Sequence, residues 1–195
     1  IWLTRGSRHE PSEHAGIAHF VEHMLFKGTP GRSAEEIAQQ VDSICGQIDA
    51  FTSKEYAGYY LKVLDEHLPL AIDILSDLIC NPLFADEDIE REKKVILEEI
   101  KMVEDTPDDL VHEIFAEGFW SNHPLGRPIL GTPQSVSALD QKTLKAYFAE
   151  TYVASNFVVV AVGNLEHWRV QELLERALVN APHHGPEAEQ SAPVV

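Results

Sequence analysis

Between Ala15 and Phe26 the chain leaves a helix almost no side that could face water. Ala15, Ile17, Ala18, Phe20, Val21, Met24, Leu25 and Phe26 surround the axis, and a helix apolar all round is a buried helix. Into this stretch are set His19, Glu22 and His23, spaced i, i+3 and i+4, so all three project from one face. Burying a carboxylate and two imidazoles costs free energy unless something compensates them. A divalent metal does so: two histidines one turn apart can hold zinc through ring nitrogens, and the carboxylate between them can act on the metal's water. The competing reading is a core helix whose histidines are satisfied by hydrogen bonds. The string His-x-x-Glu-His is short enough to arise by chance, so the buried setting and a third ligand must decide.

Catalytic zinc sites take three protein ligands and leave a position open. Asp86 to Glu104 predicts a long helix, with no Gly or Pro before Pro107. Its seam reads Ile89, Glu92, Ile96, Glu99, Val103, which puts Glu92 and Glu99 on one apolar face, while Glu98 is turned about 100° away. Two carboxylates in an apolar seam are anomalous unless both simply lie exposed on an acidic surface helix.

With these residues the chain resembles the pitrilysin family of zinc peptidases, which includes insulin-degrading enzyme and mitochondrial processing peptidase. His19-Phe20-Val21-Glu22-His23 is the inverted zinc motif, and Glu99 lies 76 residues beyond His23. Gly16-Ile17-Ala18-His19-Phe20, Asp49-Ala50-Phe51-Thr52, Val95 to Ile100 and His123 to Gly131 agree as well. The likeness covers about Ile1 to Asn180 and is greatest to the bacterial processing-peptidase-like members. It implies His19, His23 and Glu99 as ligands of one zinc ion, Glu22 as general base, and Glu92 as a carboxylate supporting the site. It also implies Asp49, Ala50, Phe51 and Thr52 as the edge strand that receives a peptide. The family usually has Asn where this chain has Asp49, which cannot donate an amide hydrogen bond.

A net charge of −17 argues against nucleic acid as a partner. No run of about 18 apolar residues occurs, so no membrane span is expected. Cys45 and Cys80 lack metal-site or redox spacing and read as two reduced core thiols.

Ile1 to Arg5 reads as a strand already in progress, and Gly6 to Glu13 as a polar loop. Ser33 to Glu36 resembles a capping box out of strict register, opening a helix that Gly46 ends. Gln47–Ser53 and Tyr56–Leu64 predict a hairpin, and Asp65–Ile79, Asp108–Glu117, Asp140–Thr151 and Glu166–Val179 predict helices. Asn156 to Gly163 is a continuous apolar run of the kind found in central strands. His123, in a Gly/Pro-rich loop, reads as structural, and His183 and His184 as at most an adventitious metal site. Elements mixed in this way predict an α+β fold, a mixed or antiparallel sheet with helices mainly on one face.

The resulting expectation is a zinc-bearing peptidase domain over 1–181 and a linker or tail over 182–195. Its function would be hydrolysis of extended peptides, with a homologous C-terminal domain or partner subunit completing the enzyme. On its own the stretch would be weakly active or inactive. The alternative is a non-catalytic or structural zinc-binding subunit of a processing-peptidase-like assembly.

Overall fold

The computed structural model describes residues 1–179 together with Ala181 and Pro182. A four-stranded antiparallel sheet forms the floor, in the order β4-β5-β1-β6: β4 is Gln47–Thr52, β5 Ala57–Lys62, β1 Trp2–Leu3 and β6 Phe157–Val158. A two-stranded ribbon pairs β2 (Gly28–Thr29) with β3 (Arg32–Ser33). The expected hairpin forms in a single register, Gln47 opposite Lys62 through Thr52 opposite Ala57. Along β4 the residues alternate exposed and half-buried, placing Ile48, Ala50 and Thr52 on the inner face.

Helices cover that inner face. The central helix α1 runs Ile17–Leu25, with Ile17, Phe20, Val21, Met24 and Leu25 wholly buried. It packs against Leu3, Tyr59, Ile96, Ile100 and Leu144 in the main core. A second, smaller core joins Ile37 and Val41 of α2 (Ala34–Ser43) to Ile74 and Leu78 of α3 (Leu68–Cys80), closed by Phe26, Ile48 and Leu61. The long helix α4 spans Asp86–Asp105 and buries Ile89, Glu92, Ile96 and Ile100. Four more helices complete the layer: α5 (Pro107–Phe119), α6 (Pro133–Ala138), α7 (Gln141–Thr151) and α8 (His167–Ala177). The fold is α+β, as expected.

Three expectations are corrected. The run from Asn156 to Gly163 is not a central strand. Only Phe157 and Val158 pair, at the sheet's far edge, and Val160 and Val162 stay exposed. The register pairs Trp2 with Val158 and Leu3 with Phe157. The capping box at Ser33 is complete and in register: Ser33 Oγ accepts from the Glu36 N–H at 3.2 Å, and the Ser33 N–H donates to Glu36 Oε2 at 2.8 Å. Cys45 is not a core thiol: it takes the left-handed turn after α2 (φ 50°), which carries its side chain into the open, and Cys80 is only partly covered. Of the anticipated tail only Ala181 and Pro182 are described. Ala181 is buried and the Pro182 carbonyl accepts from Ala154 N–H, while His183, His184 and the remainder lie outside the described residues.

Candidate metal centre

The helix that carries the motif lacks a cap of its own. Its first flanking residue is Gly16, held at φ 92°, with no side chain to receive the free N–H groups of the first turn. The buried carboxylate of Glu10 receives them instead: the Gly16 and Ala18 N–H groups each donate to it at 2.8 Å. Burial pushes Glu10 up to about pKa 7, against the pull of those N–H groups and of Arg127 and Lys54. Arg127 also donates to the Glu10 carbonyl at 3.0 Å. The loop that bears Arg127 presses on the helix start, and a Cβ at Gly16 would lie 2.5 Å from the Leu130 carbonyl oxygen. Only glycine fits there, so helix and loop form one wall.

From α1, His19 and His23 face Glu99 of α4. Their Nε2 atoms lie 3.8 and 3.6 Å from Glu99 Oε2, and their rings are 4.6 Å apart. One donor atom from each of the three residues falls within 4.8 Å of the others. A tetrahedral zinc with bonds of 2.0–2.1 Å separates its donors by about 3.4 Å, so the set fits such an ion with small adjustment. Burial, aided by His23, holds the His19 pKa down to about 3, which leaves the ring neutral, the form that ligates metals. His19 Nδ1 has no hydrogen-bond partner among the described residues.

The structure separates the two carboxylates of the α4 seam. Glu99 faces the imidazoles. Glu92, one heptad earlier, sits behind His23, with Oε2 at 3.0 Å from Nδ1 and Oε1 at 2.7 Å from Lys27 Nζ. Burial would raise its pKa, yet the bonds from Lys27 and His23 outweigh that and hold it below the usual carboxylate range. Glu98 turns outward to Lys101 at 2.6 Å.

Glu22 projects between α1 and the edge strand β4. Burial raises its pKa, and a hydrogen bond from the Thr52 hydroxyl acts in the opposite direction. Ala50 lies above it on the same strand face, and Phe51 points to the other side, against Trp2 and Tyr56. Asp49 accepts from the Tyr60 hydroxyl at 2.8 Å, and its other oxygen takes the Ala50 N–H at 2.9 Å. A cleft of about 600 Å³ opens beside His19, Glu22 and Thr52. Ile100, Leu110, Ile114 and Leu130 help line it, with Glu104 and Glu113 among them. His123 is structural: its Nδ1 accepts from the Leu125 N–H at 3.2 Å.

Glu10 and Lys27 escape a reading of the motif alone. Lys27 had a signal, since it continues the row His19, His23 by one more helical turn. Glu10 had only an indirect one, the absence of any capping side chain before Ile17.

An α+β half-domain holding an inverted His-x-x-Glu-His helix against a glutamate of a second helix is the architecture of a zinc peptidase. The chain belongs to the insulinase family of peptidases, family M16, whose signature matches residues 1–133; that of the peptidase M16 inactive domain matches residues 138–195. An uncharacterised zinc protease of Bacillus subtilis is 47% identical over 165 residues, covering 85% of this chain and 40% of the relative. One from Streptomyces coelicolor is 44% identical over 170 residues, 87% of this chain and 37% of the relative. This chain therefore spans about two fifths of the curated relatives' length. Among solved structures, pitrilysin superposes with a TM-score of 0.87 at 25% identity, over 100% of this chain and 21% of its own. A protease from Helicobacter pylori shares the fold with a TM-score of 0.91 at 22% identity, over 97% of this chain and 46% of its own. No helix among the described residues is long and apolar enough to cross a membrane.

Proposed function

We propose that this chain is the metal-bearing part of a zinc-dependent endopeptidase that cleaves extended or unfolded peptides. The observation that supports the reading best is the convergence of His19, His23 and Glu99 within 4.8 Å of one another, beside a half-buried Glu22 that is not one of the three. Zinc, when bound there, supplies an acidified water and Lewis acidity toward the scissile carbonyl. His19, His23 and Glu99 hold the ion, and Glu92 fixes the His23 ring through Nδ1. Glu22 receives the water's proton on its carboxylate and returns it to the departing amine.

Docking falls to β4. Tyr59, opposite Ala50, exchanges its backbone bonds with Ile1 on the far side, donating at 2.9 Å and accepting at 2.7 Å. The Ala50 N–H and carbonyl accordingly point to the sheet's free edge. Ile48 and Thr52, in phase with Ala50, do the same. An extended peptide can add there as a further strand, running past Glu22. Residues 1–181 form the zinc-bearing domain, and 182–195 lead toward a second domain or subunit that closes over the substrate, without which turnover is weak.

The test is Glu22→Gln in the full-length protein. The variant is expected to keep its zinc and lose about 10²–10⁴-fold in peptide cleavage. Zinc retained with turnover near wild type would remove Glu22 from the role of base. A zinc-loaded wild type that cleaves no unfolded peptide would leave a structural zinc domain.

A further inference from the structure

The hydroxyl of Thr52 donates to Glu22 Oε2 across 30 residues of sequence, 2.5 Å from donor to acceptor. Among the described residues it is the one hydrogen-bond donor to that carboxylate. Glu22's acidic neighbours do not fix an orientation, since Asp49 and Glu99 both repel it. A glutamate on a helix face has three side-chain torsions and loses much rotamer freedom when held in one pose. We propose that Thr52 is a positioning residue for Glu22, pinning one carboxylate oxygen so that the other faces the reacting water. The inference rests on the peptidase reading for its catalytic consequence, but the contact itself does not.

The residue type suits the task. Threonine is β-branched, so its χ1 is stiff and its hydroxyl direction is set by the strand. Thr52 closes β4, opposite Ala57, and the next residue turns back at once, Ser53 N–H donating to the Tyr56 carbonyl at 2.8 Å. The hydroxyl is thus anchored at both ends of a short, fixed piece of backbone. The same residue contributes main-chain groups to the free edge where a peptide would pair. Docking and orientation of the base therefore meet in one residue, and ordering of the strand end by substrate also orders the carboxylate. Sequence resemblance marks Thr52 only as part of the peptide-receiving strand, and its contact with Glu22 comes from the packing of β4 on α1.

The experiment uses the full-length, zinc-loaded protein, a quenched fluorescent unfolded peptide, and two variants. Thr52→Val keeps shape and branching and removes the donor. It is expected to lower kcat about 10–100-fold, as misplacement of a reacting group does, with KM within about twofold and zinc content unchanged. Thr52→Ser restores the hydroxyl and is expected to recover kcat to within roughly threefold of wild type. Crystal structures of the wild type and Thr52→Val, both with zinc, are expected to show the Glu22 carboxylate turned away in the variant. A Val variant with wild-type kcat, a loss confined to KM, or a Ser variant as slow as Val would each overturn the proposal. If the wild type cleaves no peptide, the peptidase reading fails separately, and the structures decide: an unmoved Glu22 in Thr52→Val overturns the positioning role, and a rotated one upholds it.

Discussion

Glu92 Oε2 lies 3.0 Å from His23 Nδ1, and this contact crosses 69 residues to tie α4 to α1. The other oxygen of Glu92 meets Lys27 at 2.7 Å, so the carboxylate is buried between a ring it orients and a cation that compensates it. Two substitutions separate these duties. Glu92→Ala frees the ring and is expected to weaken zinc binding about 10–100-fold, measured by competition with a chelator. Lys27→Met leaves a buried carboxylate short of a partner and is expected to cost about 1–3 kcal/mol, a fall in Tm of roughly 2–4 °C per kcal/mol. Unchanged chelator competition in Glu92→Ala would show that the ring is oriented by packing alone.

Glu98 and Glu99 are neighbours in sequence with different surroundings. Glu99 faces both imidazoles, whereas Glu98 pairs with Lys101 on the exposed side of α4. Glu99→Gln is expected to lose most of the bound zinc and Glu98→Gln to keep it, as read by metal analysis of the purified variants. Equal zinc in the two would sink the ligand assignment.

Glu10 makes stability depend on pH. Its folded pKa of about 7 exceeds the ordinary 4.5 because burial disfavours the charge. The folded chain therefore holds this proton more tightly than the unfolded chain. The stability it confers is complete below about pH 4.5 and is lost as pH rises to about 7, on the order of 3 kcal/mol in all. Glu10→Gln cannot ionise, so the Tm of the wild type is expected to fall relative to that of the variant between pH 5 and pH 8. A Tm difference that stays constant across that range would rule out the buried, protonating carboxyl.

Asp49 sits on the free edge of β4, where its Oδ1 takes the Ala50 N–H at 2.9 Å, the edge proposed above for peptide docking. A docking strand must displace that bond. Asp49→Ala leaves the N–H free, and KM for a neutral peptide is expected to fall about two- to tenfold, the worth of one hydrogen bond, with kcat little changed. Steady-state kinetics on the full-length protein decide it, and a raised KM would show that Asp49 holds the strand open for substrate instead.

The sequence by itself determined the central helix, because apolar residues all round its axis leave burial as the sole outcome. It also determined that His19, Glu22 and His23 share a face, since helical pitch is a local property. The seam of α4 singled out Glu92 and Glu99 for the same reason, though spacing alone could not say which of them meets the imidazoles. Only the packing of α4 on α1 decided that, putting Glu99 in front of the rings and Glu92 behind. The apolar run after Asn156 misled because periodicity reports burial capacity and says nothing of whether a partner strand lies alongside. Glu10 capping a helix six to eight residues on, Lys27 held against Glu92, and Thr52 holding Glu22 are contacts between segments whose own patterns are unremarkable. Such contacts cost entropy to close and leave no periodic trace in the chain, so they become visible only when the sheet, the helix and the loop are brought together.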